Sequence, residues 1–551
     1  MLPMDRTAPA GRRTGRARPA RQTPGRCYSL PPGAASARRV AGTDVLRLSD
    51  DAVVGAYLLC ILVLGLRGAR ARTSSSEYFL ASRHASWPMI GLALIGSNLS
   101  PGALIGITGS AYALGISVYN YDWVATITLV VFALWLLPML LAQRIYTVPE
   151  YLERRYDRRA RTWLASLSIV LYVLLDAAGA LYCAALVLHA LIPRLSFLEA
   201  IPPLAVFAAL YALTGGLRAV MRTQALQGVV MLGSAAVLAW YALEHAGGWQ
   251  AVVRANPAQH LHLILPASDP YMPWTGLAFG APVLALYYWC SNQVIVQRTL
   301  AARSVTDGQR GALLAGVLKL STLALIVAPG LAGRVLFPHL HRDDDIYIRL
   351  ALGLLPAGLL GVFLAAFLGA LMAALSATYN SAATVLSIDF IRRARPQLDE
   401  RQTVRWGRIG TALAMLASAA WVPQIARFPS LWQYFQAVLA YLTPPVAAVF
   451  LGGLLWRGAN ARGAFAALTA GTALGVGLFV LELLGRAPLQ FLDVAGVTFA
   501  VSLLTLGLVS LSAPPQLSAA PSPAAQRTPR SVQIAGLAVL ALTAAVVAAF
   551  W

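Results

Sequence analysis

Gly91-Leu-Ala-Leu-Ile-Gly-Ser-Asn-Leu-Ser-Pro-Gly102 lies inside an apolar run, 88–112, long enough to cross a bilayer. Pro101 in its middle lacks a backbone donor and clashes with the preceding turn, so a helix here unwinds in mid-membrane. Further along, Gly280-Ala-Pro282 precedes Tyr287-Tyr-Trp-Cys-Ser-Asn-Gln293, again within an apolar span. Interrupted helices at matching places in two halves point to an inverted-repeat transporter, whose unwound backbone holds ions and solute near the midplane. The plainer reading is two separate proline kinks.

The rest of the chain fits a membrane setting. Of 551 residues, 58% are apolar and 12% charged, with a mean hydropathy of +0.65, more apolar surface than a soluble domain buries. A spanning helix needs about 20 mostly apolar residues. Fourteen candidates occur, near 50–67, 88–112, 120–143, 163–190, 199–214, 223–243, 273–296, 310–335, 357–385, 405–424, 430–455, 462–484, 490–512 and 532–551. The expected fold is all-α and polytopic.

The net charge of +21 sits mostly between these segments, which argues for membrane topology and against a nucleic-acid partner. Loop 144–161 holds Arg144, Arg154, Arg155, Arg158, Arg159 and Arg161, and loop 389–408 is equally arginine-rich. Both belong in the cytoplasm. Loops 244–272 and 336–347 carry one arginine each and face out, which leaves both termini outside. Residues 1–43 carry nine arginines and no apolar run, reading as a disordered arm or as sequence upstream of a start near Val40. The stretch 513–531, rich in Pro, Ser and Ala, reads as a cytoplasmic linker to a last helix at 532–551. Cys27, Cys60, Cys183 and Cys290 show no close pairing and read as packing residues.

Charges inside the spans are few: Asp122, Asp176 and Lys319. Each costs about 2.5–3.5 kcal/mol on insertion scales, so each is expected to face a cavity or a partner. Lys319 is the one lysine among 43 basic residues. A compact, movable ammonium does there what a planar guanidinium cannot; the bland alternative is a lysine snorkelling to the interface.

Seven ordered motifs carry a family resemblance: Ser76-Glu-Tyr-Phe-Leu-Ala-Ser-Arg83, Gly96-Ser-Asn-Leu-Ser100, Tyr121-Asp-Trp123, Tyr146-Thr-Val-Pro-Glu-Tyr-Leu-Glu-Arg-Arg-Tyr156, Thr214-Gly-Gly-Leu-Arg-Ala-Val220, Gln297-Arg-Thr-Leu-Ala-Ala302 and Tyr379-Asn-Ser-Ala-Ala-Thr384. In order and spacing they resemble the sodium/solute symporter family, on its sodium/sugar branch, over about 50–512. The resemblance implies a LeuT-like core of two inverted five-helix repeats, from about 88 to 455, working by alternating access in an inner (plasma) membrane of bacterial type. It implies no enzymatic activity and no organic cofactor.

Carried over by residue, the resemblance places a solute site at Asp122, Asp176, Tyr288, Trp289, Lys319 and Gln436, with Tyr288 and Trp289 as inner aromatic gate. Polar floors and aromatic gates suit a sugar or polyol, whose hydroxyls need partners once out of water. Ala103, Ala125 and Ala285 stand where sugar members have polar ligands, and Asp176 replaces an Asn. The implied sodium site falls on Gly96, Leu99, Ala370, Ala373 and Ala374. The last two stand where the family has hydroxyls and offer no side-chain oxygen, Ser376 lies about 4.5 Å farther along the axis, and Gln224 replaces an acid near the inner mouth.

These departures motivate a proton as the alternative coupling ion, carried by Asp122 and Asp176 grouped near Lys319, or an uncoupled facilitator or sensor. A membrane enzyme would need an acid/base or metal group at an aqueous mouth. His245, His260 and His262 are the nearest candidates and read better as solvated loop. Tyr119, Tyr121 and Trp123 read either as part of the site or as an interfacial aromatic belt.

Overall fold

The computed structural model describes residues 49–50, 52–56, 84–143, 145, 148–192, 194–211, 217–391, 394–395, 397, 400–486, 489–512 and 528–550, with side chains at 206–227, at several positions in 372–389 and at a few others excepted. The arm at 1–43, most of the first candidate span, the linker up to 527 and the side chains of Gln224, Ala373 and Ser376 lie outside the described residues.

The described residues form a helical bundle. In chain order the principal helices are α1 (Trp87–Asn98), α2 (Pro101–Leu114), α3 (Ile116–Ala142), α4 (Arg158–Leu191), α5 (Phe197–Tyr211), α6 (Leu217–His245), α7 (274–291), α8 (Gln293–Leu300), α9 (Val305–Leu336), α10 (Asp345–Leu354), α11 (359–391), α12 (Glu400–Ile425), α13 (Leu431–Leu442), α14 (Pro444–Leu455), α15 (Ala461–Leu483), α16 (Phe491–Leu511) and α17 (Arg530–Ala549). Seven described helices are long and apolar enough to cross a membrane, and two more spans pass as bent pairs, α1 with α2 at 60° and α13 with α14 at 55°.

The first break falls where Pro101 demands it. Leu99 leaves helical geometry at φ −76°, ψ 55°, Ser100 is extended, and its hydroxyl accepts the Ala103 N–H at 3.2 Å to start α2. The second break lies elsewhere than Gly280-Ala-Pro282. The chain stays in the right-handed helical region at Gly280, whose N–H donates to the Gly276 carbonyl at 2.8 Å. Gly280 serves packing instead: a Cβ there would stand 1.9 Å from the Leu492 carbonyl oxygen of α16. The helix opens at Asn292, extended at ψ 123°, after a π turn over Tyr287–Ser291. Further π turns occur at Phe132–Leu136, Tyr172–Ala177, Leu323–Val327 and Leu386–Ile391; such turns re-aim one side chain and recur at functional sites.

Two sequence motifs hold helix ends. Arg155 donates from Nε to the Gly453 carbonyl and from Nη2 to the Trp456 carbonyl, both at 2.9 Å, satisfying the C-terminus of α14. The Gln297-Arg-Thr-Leu-Ala-Ala302 segment leads into a short parallel bridge, Ala85 N–H to Ala301 carbonyl at 3.0 Å and Arg303 N–H to Ala85 carbonyl at 3.1 Å. This ties the inner start of α1 to the turn between α8 and α9, so the two broken spans are joined at one end.

Candidate functional site

Lys319 and Asp122 meet between α9 and α3 as a hydrogen-bonded ion pair whose side chains are 3% and 2% exposed. The Thr322 hydroxyl lies 2.5 Å from Asp122 Oδ2 and 2.6 Å from the Lys319 carbonyl, and shares one proton between them. Thr126, one turn after Asp122, donates to the Gly316 carbonyl at 3.2 Å and locks the two helices in register. Buried charges persist only when paired and further hydrogen-bonded; both conditions hold here. Lys319 is therefore a core residue and does not snorkel.

Asp176 does not join this pair. It sits on the π turn of α4, opens into a separate inner cavity of about 30 Å³ and makes no hydrogen bond or ion pair among the described residues. The grouping of Asp122, Asp176 and Lys319 expected from sequence is thus corrected: Asp176 lies within the π turn of α4 and lines a cavity that the pair does not. The cavity is also lined by Tyr172, Tyr287, Tyr288, Ser291 and Gln293. Gln293 accepts the Val148 N–H at 2.8 Å and staples the cavity's inner end.

Tyr288 lines that cavity and its hydroxyl accepts from Asn98 Nδ2 at 3.4 Å. Asn98 is the last helical residue before the break of α1, so this contact links the two broken spans near their openings. Trp289 stacks edgewise on Tyr288, with centroids 5.2 Å apart, but is buried and does not line the cavity. Gln436 is buried on α13 and lines neither cavity. Gly96, Ala370 and Ala374 are half-buried and Leu99 is buried.

An outer cavity of about 10 Å³ is lined by Ser117, Tyr121, Met272, Trp432 and Phe491. Tyr121 meets Trp432 edge-on at 5.8 Å, while Tyr119 is buried and donates to the Leu320 carbonyl at 3.1 Å. Trp123 donates to Asn120 Oδ1 at 2.7 Å. Tyr119 belongs to the protein interior and Tyr121 to the wall of the outer cavity, while Trp123 is half-buried. Solute pockets run to about 300–1,000 Å³, so a sugar enters only after the helices on one side part.

Above the outer cavity a carboxylate holds the gate. Asp344 Oδ2, just before α10, accepts the Leu431 N–H at 2.9 Å and the Tyr182 hydroxyl at 3.0 Å, and Ser110 and Ser430 share a 2.8 Å hydrogen bond. One residue thereby ties the outer loop to α13 and α4 over Gly109 of α2, where a Cβ would stand 2.8 Å from Asp344 Oδ1. Burial pushes its carboxyl up to about 7. Asn98, Tyr172, Tyr287, Thr322 and Asp344 were not among the sequence candidates. Asn98 lies within the Gly96–Ser100 motif, and Asp344 within the outer loop 336–347.

Two broken spans joined at one end, a buried pair between helices and small cavities on either side are the features of a secondary transporter of the alternating-access kind. The chain belongs to the sodium:solute symporter family, whose model matches residues 78–471. It is similar to the sodium/mannose cotransporter SLC5A10 of Bos taurus, 36% identical over 80% of this chain and 81% of that one. It is also similar to the sodium/myo-inositol cotransporter 2 of Mus musculus, 34% identical over 80% and 71%. Its fold matches the substrate-bound, outward-open structure of a Na+-coupled sialic acid symporter with a TM-score of 0.71 at 17% identity, over 86% of this chain and 99% of that one. Mhp1, a nucleobase-cation-symport-1 family transporter, matches with a TM-score of 0.54 at 14% identity, over 83% and 98%. The fold is LeuT-like and the protein is a membrane transporter, not an enzyme.

Proposed function

We propose that this protein imports a small polyhydroxylated solute, a sugar or cyclitol, across a bacterial-type inner membrane, driven by sodium. The observation that carries the reading is the Asp122–Lys319–Thr322 cluster, a buried polar group set between α3 and α9 behind the two broken spans. The cluster lines neither cavity; in this reading its donors and acceptors meet the solute's hydroxyls once the helices part, and cotransporters of mannose and myo-inositol are similar along most of the chain.

Sodium is held in this reading by backbone carbonyls at the α1 break, around Gly96 and Leu99, together with the α11 stretch that carries Ala370, Ala373 and Ala374. Two alanines contribute no hydroxyl there, so the ion is held by fewer oxygens and binds weakly. The test is uptake of a labelled sugar and cyclitol panel into proteoliposomes, with Lys319→Ala as control. Uptake of at least one member, lost in the variant, is expected. Failure of the folded protein to take up any polyhydroxylated solute would contradict the reading.

A further inference from the structure

The inner cavity contains a charge that the described protein groups do not answer. Asp176 opens into it without a hydrogen-bond or ion-pair partner among the described residues, and no neighbouring charge acts on it. The lysine is already taken by Asp122. Arg298, buried on α8, acts on the Tyr288 hydroxyl and not on Asp176. The Asp176 side chain is exposed to the cavity, so water meets the carboxylate until a cation replaces it.

Its surroundings indicate which cation. Tyr172, Tyr287 and Tyr288 stand close enough to Asp176 to feel its charge. Phenol oxygens beside one carboxylate suit an ammonium group, whose N–H donors need acceptors while its charge answers the anion. The cavity's volume of about 30 Å³ suits a group the size of water or ammonium, while Ser291 and Gln293 on its wall suit hydroxyls.

We propose that Asp176, with Tyr172, Tyr287 and Tyr288, receives a primary ammonium carried by the transported solute, which is then an amino sugar or aminocyclitol. This rests on the reading of the chain as an importer of polyhydroxylated solutes. The cationic group enters the inner cavity as the helices part, and the hydroxylated ring lies toward the Asp122–Lys319 pair.

The test uses the full chain in proteoliposomes, with labelled glucosamine, glucose, myo-inositol and N-acetylglucosamine as probes. Wild type is expected to prefer glucosamine over glucose and over the amine-capped N-acetylglucosamine by about tenfold or more, the worth of one charge-assisted hydrogen bond. Asp176→Asn is expected to erase that preference, and Asp176→Glu to keep it. Uptake of glucose or myo-inositol by wild type without competition from glucosamine overturns the inference and leaves the importer reading intact. No uptake of any probe by folded protein removes both. If Asp176→Asn abolishes sodium dependence with the solute ranking unchanged, the carboxylate belongs to the ion and the inference falls. The wild-type ranking decides the matter even if a variant fails to fold.

Discussion

Replacing Lys319 by methionine leaves Asp122 buried between α3 and α9 with one hydroxyl, that of Thr322, still able to donate to it. Breaking a buried pair by removing one partner costs about 3–5 kcal/mol, because the remaining charge has lost both water and its counter-ion. The retained Thr322 bond offsets part of this, placing Lys319→Met near the lower end, about 3 kcal/mol. Asp122→Asn, which strands the ammonium, should cost a similar amount. The double variant removes both charges and should recover most of the loss, since apolar or neutral replacements of a whole pair are often near neutral. Unfolding of the purified protein in detergent, run on all four members of the cycle, reads the coupling directly. A coupling of at least about 3 kcal/mol is expected. If the single variants are as stable as wild type, or the double variant loses the sum of the two, the pair is not the buried cluster described. Uptake should fail in all three variants, because the same groups are proposed to receive the solute.

The Asp344 latch should respond to external pH. Its carboxyl is raised to about 7 in the closed outer gate, so closure binds a proton that an open, solvated aspartate releases; the stabilisation of the closed gate is present at low pH and lost as pH rises through 7. External maleimide labelling of Gln433→Cys in the outer cavity should therefore slow between pH 8 and pH 6 relative to the same measurement with Asp344→Asn, and equal slopes in the two backgrounds would rule this out. Restoring hydroxyls with Ala373→Ser and Ala374→Ser should lower the sodium concentration for half-maximal uptake by about tenfold, the worth of one or two added ligands; an unchanged value would remove α11 from the ion site. Gly280→Ala should destabilise the protein by about 1–3 kcal/mol through overpacking, because its Cβ would fall on the Leu492 carbonyl; a wild-type melting curve would show that α7 and α16 are not packed as described.

The sequence marks some of this plainly and some not at all. The break of α1 is legible because proline has no donor and Ser100 can start a new helix, both local facts. The second break is misplaced by the same logic: Gly280 and Pro282 look like a breaker, yet the glycine is there for the close approach of α16. Asn292, where α7 opens, follows a π turn that carries no local signature, since an extra residue in a turn is tolerated for tertiary reasons. That effect also hides the place of Asp176. A π turn interrupts the 3.6-residue period from which a helical face is read, and Asp176 lies within one. Asp122 and Lys319 are legible because charge is scarce in apolar spans and the lysine is unique. Thr322 and Asp344 are ordinary polar residues in the sequence, and only the packing of distant helices gives them their partners.

Solute uptake into proteoliposomes under an imposed inward sodium gradient, against equal sodium on both sides and against a proton gradient alone, tests the central claim most directly. The account predicts concentrative uptake that requires the sodium gradient, with weak apparent sodium affinity. Uptake that merely equilibrates under every condition, or that follows the proton gradient without sodium, would contradict it.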